Sequence, residues 1–421
     1  MELDHTARRE RLRGHELLSA HETPVYVFFE GELRRNYRSL RATLDEQYPD
    51  SRVHFAVKAN FNLGVLAVLR DAGCGAEAYA SCELTAATEA GFDPEDLLVT
   101  GMYRPEPDLE RALAAGVDEF LVDNQAELNR ITSAAAATGE RPRVLVRGNP
   151  AMEVPTHPDV ATATRETKFG LDRQSGRAMA VAKRAAVADR VTLAGVQLHL
   201  GSQIRGVEPY AVAAREMLSF AADIRDETGI EVDVIDLGGG FPVPYDADVP
   251  ATADIIATVA DAVAAGCDTH GLGRPTLYLE PGRRLVATAG TLLGSVGVLK
   301  KTPASTFAVL DAGTNAVSSR WPYPIYALTG GEPTETYDVA GPLCYTGDVV
   351  QEDVELPPLE RGDVLAIDRI GAYSLSSSTH TNAEPKPPVV LVREDGSFDE
   401  VRARETCADV LGRDEVPGDL A

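Results

Sequence analysis

From residue 53 onward, short runs rich in β-branched and apolar residues alternate with Ala-rich stretches whose apolar positions fall three and four apart. The runs are VHFAV (53–57), AEAYA (76–80), LLVTG (97–101), EFLVD (119–123), RVLVR (143–147), AGVQLHL (194–200), DVIDLGG (233–239) and TLYLEPG (276–282). Between them lie NLGVLAVLRDAG, ELTAATEAG, PDLERALAAG and RAMAVAKRAAVA, several of which stop at Gly, a residue that commonly ends helices. Eight strands alternating with helices over about 230 residues predict an α/β fold, a (β/α)8 barrel of the TIM type. A doubly wound open sheet is the competing arrangement. It calls for fewer units and a Gly-x-Gly-x-x-Gly turn after its first strand, and the chain has no such turn.

After residue 285 the pattern changes. GTLLGSVGVLKKT, TFAVLDAG, ETYDVAGPLC, DVLAIDRIGAYS and PPVVLVREDG read as strands separated by Pro/Gly turns. The expected organisation is a barrel over residues 31–285 and a β-rich domain over 286–421. A leading segment, 1–30, carries TPVYVFF (23–29), which is expected to pair with that β domain.

Composition narrows the function. A formal charge of −25 argues against nucleic acid, whose phosphates need a basic face. No apolar run approaches the ~18 residues of a membrane span. The start, MELDHTARRERLRGHELL, lacks the apolar core of a signal peptide, so a cytoplasmic protein is expected. Five scattered cysteines without a Cys-x-x-Cys pair suggest neither a disulfide framework nor a zinc site, and no metal is expected. Of 40 basic residues only six are lysine: Lys58, Lys168, Lys183, Lys300, Lys301 and Lys386. This depletion, with 65 acidic residues, reads as a salt-adapted, halophilic surface. Codon bias toward Ala, Arg and Asp is the alternative, but it does not account for the excess of acid over base.

Scarce lysines direct attention to Lys58, at the end of the first barrel strand. Lysine does what arginine cannot, because its amine can lose a proton and form a Schiff base. Barrel enzymes place their chemistry at the C-terminal ends of the strands. There the fifth run ends in Arg147, the sixth in His199, the seventh in Gly238, Gly239 and Gly240, and the eighth in Glu280 and Arg283. Singly, each has an ordinary reading as a solvated charge, a capped loop residue or a tight turn. Together they match the needs of pyridoxal 5'-phosphate. Lys58 would hold the aldehyde, the glycine amides its phosphate, Glu280 the pyridine nitrogen, and His199 one face of the ring.

Six ordered motifs carry a family resemblance: FAVKANFN, HLGSQI (199–204), DLGGGF (236–241), EPGRRLVATAG (280–290), GPLC (341–344) and GAYS (371–374). The chain resembles the fold type III pyridoxal-phosphate decarboxylases, which act on diaminopimelate, ornithine or arginine and use an alanine racemase-like barrel. THPDVATA and KFGLD (156–172) are similar to the diaminopimelate branch, which converts meso-diaminopimelate to L-lysine and CO2. The resemblance implies that Lys58 carries the cofactor, His199 stacks on its ring and Glu280 meets its nitrogen. Ser202, Gly238 to Gly240, Gly282 and Arg283 would lie along the phosphate and substrate edge. It also implies a homodimer with shared active sites, Cys344 and Tyr373 reaching the neighbouring subunit and Cys344 returning the proton. A racemase of the same barrel class, or a non-catalytic pyridoxal-phosphate binder, competes. The Glu280 motif speaks against the first, and the presence of both Lys58 and Cys344 against the second.

The departures from the pattern all fall on the substrate side. CYTGD puts Tyr345 where the family has the glutamate that grips the distal amine. SRWPYPIYAL leaves Arg320, Tyr323 and Tyr326 as stand-ins for a family arginine and tyrosine, and HTN leaves Thr381 and Asn382. Two readings stand. In one, the substrate is a different or conjugated amino acid, of a siderophore or antibiotic type of pathway. In the other it is diaminopimelate, with Asp348 as the distal anion.

Overall fold

The computed structural model describes residues 8–10, 12, 17–154, 156–157, 160–245 and 247–420. Most of the leading segment before Leu17, and Pro158 and Asp159 of the Thr-His-Pro-Asp stretch, lie outside the described residues. The chain divides into two units. One comprises Leu33–Pro244 and Asp248–Leu285, the other Met1–Glu32, Tyr245–Ala247 and Val286–Ala421.

β1 (Val25–Phe29) belongs to the second unit. The first unit holds β2 (Ser51–Ala56), β3 (Gly75–Ala78), β4 (Leu97–Val99), β5 (Glu119–Val122) and β6 (Arg143–Asn149). A two-residue β7 (Leu171–Asp172) pairs with the end of β6, and β8 (Thr192–Gln197), β9 (Val234–Asp236) and β10 (Thr276–Leu279) complete the set. All pairings are parallel, in the order β5-β4-β3-β2-β10-β9-β8-β6, and β5 returns to β6 from Glu119↔Arg143 to Val122↔Val146. The eight-stranded sheet is closed, which excludes the open doubly wound alternative. Its strands are buried along most of their length, as Leu97–Val99 shows, because helices cover the outside.

Strand ends differ from the sequence reading throughout: β6 runs two residues longer, and the other seven barrel strands stop one to three residues earlier, so His199, the glycine triplet and Glu280 lie just beyond their strands. β2 stops at Ala56, and Lys58 sits in a single 3-10 turn, Val57–Ala59, just beyond it. Asn62 then accepts the N–H groups of Gly64 and Val65 at 3.0 and 3.2 Å, starting the helix Leu63–Asp71. Such a cap is worth about 1 kcal/mol and holds the lysine turn against the strand. Arg147 is not the last residue of its strand, since β6 runs on to Asn149.

The second unit contains β11 (Gly290–Lys301), β12 (Thr306–Leu310), β13 (Ile325–Ala327), β14 (Glu335–Ala340), β15 (Val349–Leu356), β16 (Val364–Asp368), β17 (Val389–Val392) and β18 (Phe398–Arg402). They order as β15-β14-β12-β11-β1-β17-β18, with β16 joined to β11 and β13. β1 lies between β11, to which it is antiparallel, and β17, to which it is parallel. All five of its residues are buried, and Val25, Val27 and Phe29 join Leu293, Tyr326, Val390 and Val392 in one core cluster. Burying each such side chain contributes roughly 1.5–3 kcal/mol.

Candidate active site

A cavity of about 290 Å³ opens within the barrel unit, lined by Lys58, Glu77, Arg147, Gln197, His199 and Glu280 among others. Lys58 Nζ lies 2.5 Å from Glu77 Oε2. Glu77, in β3, is almost wholly buried, and its other oxygen accepts the hydroxyl of Thr100. One ion pair therefore aims the amine into the cavity, since the carboxylate cannot rotate without losing the Thr100 bond.

Two further carboxyls stand close by. Glu280 follows β10 and accepts the amide of Gln197 at 3.1 Å. Burial, then the charge of Glu77, pushes its pKa up, while Lys58 opposes the shift. Asp236, the last residue of β9, has no exposed surface, and one of its oxygens accepts the Gly238 N–H at 2.8 Å. Burial and then Glu280 raise its pKa well above the carboxylate range. Each carboxyl therefore disfavours ionisation of the other, and the two titrate as a coupled pair.

His199 Nδ1 accepts the Gly239 N–H at 3.1 Å, which places the ring proton on Nε2. Burial, then Lys58 and Arg147, hold the imidazole well below its usual pKa, so it is a flat neutral ring. The glycines are set by crowding. Gly238 has φ 64, and a Cβ at Gly239 would run into the Glu280 carbonyl oxygen. The expectation that all three glycine amides serve a phosphate needs correction. Gly238 donates to Asp236 and Gly239 to His199, which leaves Gly240 as the amide of the triplet with no protein partner among the described residues. Arg283, which opens a short helix after Gly282, donates from Nε to Ser202 Oγ at 3.3 Å.

Sequence reasoning passed over Glu77, Thr100, Gln197 and Asp236. The signal was there, because each is a polar residue inside or at the end of an apolar strand run, where a buried charge or amide demands a reason.

The second unit carries the other expected residues. Cys344 is exposed, and Asn382 Nδ2 donates to its sulfur at 2.9 Å. Tyr373 is half-buried with φ 61. Three substrate-side assignments do not hold. Tyr326 lies in the core cluster of its unit. Tyr323 is buried edge-on against Tyr245. Asp348 is buried and engaged through both oxygens: Oδ1 accepts the Thr314 N–H and hydroxyl at 2.7 and 2.8 Å, and Oδ2 accepts the Leu343 N–H at 2.7 Å. The carboxylate is thus turned to the protein's own donors and away from solvent. Arg320 is exposed beside Trp321 and Gln351, around a separate cavity of about 410 Å³. Thr381 hydrogen-bonds Thr379.

A closed parallel barrel whose cavity gathers Lys58, a neutral His199 beside a glycine turn, and the buried Glu280 defines the barrel class of pyridoxal-phosphate enzyme. The residues fit the cofactor, because the Gly240 amide and the buried Oε1 of Gln197 offer polar groups with no partner among the described residues. Residues 31–287 match the family described as "Pyridoxal-dependent decarboxylase, pyridoxal binding domain". The chain belongs to this family, and pyridoxal phosphate is its cofactor. Similar proteins include the diaminopimelate decarboxylase of Methanocaldococcus jannaschii, 34% identical with 96% of this chain and 94% of the relative covered. That of Pseudomonas aeruginosa is 36% identical over 94% and 93%. Among solved structures, the M. jannaschii enzyme in complex with L-lysine superposes with TM-score 0.89 at 34% identity, covering 96% of this chain and 95% of that one. The Helicobacter pylori diaminopimelate decarboxylase with L-lysine gives 0.86 at 28% identity, covering 94% and 98%.

Proposed function

We propose that the protein decarboxylates meso-diaminopimelate to L-lysine and CO2. The supporting observation is a match to enzymes of that name along nearly the whole of both chains, joined to a cavity lined by both Glu280 and a directed Lys58. When bound, pyridoxal phosphate supplies the sink for the electron pair that the departing carboxylate leaves behind. The protein's own groups do the rest. Lys58, aimed by Glu77, would anchor the cofactor through its amine. Glu280, braced by Gln197, would hold a proton at the ring nitrogen. The neutral His199 offers a flat surface and adds no positive charge to compete for the electrons. Arg283, Ser202, Gly282 and Gly240 would hold the anionic edge of the cofactor. Cys344 returns a proton to the substrate Cα, with Asn382 orienting the sulfur.

The active form is a homodimer in which Cys344 and Tyr373 complete the partner's site. Mixing inactive Lys58→Ala with inactive Cys344→Ala should restore activity through hybrid dimers. Absence of complementation after confirmed subunit exchange would overturn the shared site. No helix among the described residues is long and apolar enough to cross a membrane. We place the enzyme in a salt-rich cytoplasm, so its activity should rise with molar KCl. The test of function is CO2 release from meso-diaminopimelate against ornithine, arginine and lysine. Racemised product without CO2 would overturn the assignment.

A further inference from the structure

Asp236, at the end of β9, is wholly buried, and its Oδ1 accepts the Gly238 N–H at 2.8 Å. The other oxygen, Oδ2, is buried with no donor among the described residues. The carboxyl of Glu280 lies within hydrogen-bond reach of Asp236. Two carboxylates are both acceptors, so no bond forms between them unless one holds a proton. The strands fix this approach. β9 runs between β8 and β10, with Asp236 level with Gln197 on one side and Tyr278 on the other. The Glu280 N–H in turn donates to the Gly238 carbonyl at 2.8 Å. Backbone bonds thus hold the two acids side by side.

The surrounding charges do not relieve the contact. Those facing Glu280 are Glu77 from β3, Lys58 from the turn after β2 and Arg147 from β6. Lys58 is paired with Glu77, Arg147 lies 3.5 Å from Asp123, and His199 is neutral. An ionised Asp236 would leave one oxygen anionic, dry and unbonded, a cost that no neighbour offsets. Glu280 is better placed to be the anion, because it accepts the Gln197 amide at 3.1 Å and lines the cavity.

We infer that Asp236 is a positioning residue that stays protonated at neutral pH and donates its O–H to Glu280, which is thereby kept as the anion of the pair. The donated bond favours the ionised form of Glu280 and offsets the burial and the Glu77 charge that oppose it. Its purpose rests on the reading above, in which Glu280 faces the ring nitrogen of pyridoxal phosphate. The place of the proton does not.

Two measurements test it, and only the second depends on the cofactor. The infrared spectrum of wild type at neutral pH should show the carbonyl stretch of a protonated carboxyl group, which carboxylates lack. Asp236→Asn should remove one such group from the difference spectrum. The second measurement is the pH dependence of pyridoxal phosphate affinity, read by absorbance in wild type, Asp236→Asn and Asp236→Leu. A hydrogen bond to a charged acceptor corresponds to about ten- to a hundred-fold in an equilibrium constant, or about one to two pH units. Asp236→Leu removes the donor, so Glu280 becomes easier to protonate and the acid midpoint of binding should rise by about one to two units. Asp236→Asn turns an N–H toward Glu280 and should move that midpoint by less than about half a unit. Were Asp236 ionised instead, either variant would remove a repelling charge, and both midpoints would fall. Thermal midpoints establish that each variant folds; should Asp236→Leu fail to, Asp236→Asn and the infrared band decide alone. A lowered midpoint in Asp236→Asn, or an acid band that this variant leaves intact, overturns the inference. If wild type does not bind pyridoxal phosphate, the cofactor reading fails, while the infrared band still decides where the proton sits.

Discussion

Removing the Asp348 carboxylate measures whether this residue serves the backbone or the substrate. Asp348 accepts from two backbone N–H groups and one hydroxyl, at 2.7, 2.7 and 2.8 Å. Each bond to a charged acceptor is worth roughly 1.5–3 kcal/mol, although the three share partners and will not add fully. Leu343 is buried, so its N–H would be orphaned in Asp348→Ala, whereas water can reach half-buried Thr314. We expect Asp348→Ala to cost roughly 3–5 kcal/mol and Asp348→Asn, which turns an NH2 toward one of the N–H groups, roughly 2–3 kcal/mol. Asp348→Glu should not rescue, because Gly313 and Gly341 approach the carboxyl so closely that a Cβ on either would collide with it. Urea unfolding followed by fluorescence suits the question. Trp321 is the chain's one tryptophan and stacks on Tyr245 in the same unit, so its signal reports that unit even if the barrel melts separately. A shift below about 0.5 kcal/mol in Asp348→Asn, together with a ten-fold rise in KM for diaminopimelate, would refute the reasoning and restore Asp348 as the distal anion.

Three further outcomes are expected. Lys58→Arg keeps the charge but cannot form a Schiff base, so borohydride should leave no cofactor on residue 58, and recovery of the labelled peptide would disprove the assignment. Gly239→Ala must push the Glu280 backbone aside, and overpacking of roughly 1–3 kcal/mol should weaken cofactor binding about ten- to a hundred-fold in an absorbance titration; unchanged affinity would contradict the crowding argument. His54 is buried against Tyr278, and burial, then Arg52, lowers its pKa to about 3. Its neutral form contributes stability that is fully present above the unfolded pKa of about 6.5 and is lost as pH falls toward 3, by up to about 1.4 kcal/mol per pH unit. The raised Asp236 and Glu280 act in the opposite sense over acid pH, so the measurement is the difference in stability between wild type and His54→Phe from pH 7 to 4. A flat difference would show that His54 is not buried neutral.

Periodicity located the eight barrel strands because parallel strands covered by helices must be apolar on both faces, and runs such as LLV and EFLV announce this directly. β13, β15 and β18 were not legible. IYA is too short to show a period, while VVQEDVEL and FDEVR carry charges on solvent-facing positions and read as loop. In the site, Lys58, His199 and Glu280 could be found because they break the pattern at strand ends. Glu77 and Asp236 lie within strands, where one polar letter among apolar ones looks like noise until their partners across the barrel are known. Tyr323, Tyr326 and Asp348 were misread for the opposite reason. Polar atoms drew them to the substrate, but the folded unit uses the rings as core and the carboxylate as a tie between two loops.

The place of β1 has a consequence for how the chain matures. Val25–Phe29 is synthesised before any part of the barrel, yet one of its two flanking strands begins at Gly290 and the other at Val389. While the ribosome makes the intervening residues, five consecutive apolar side chains have no sheet to join. The barrel is able to close in that interval, but the β unit must wait for its last strands. This strand, made before the barrel, is therefore among the last to dock, and until then it is a sticky edge that favours chaperone binding or pairing with another nascent copy.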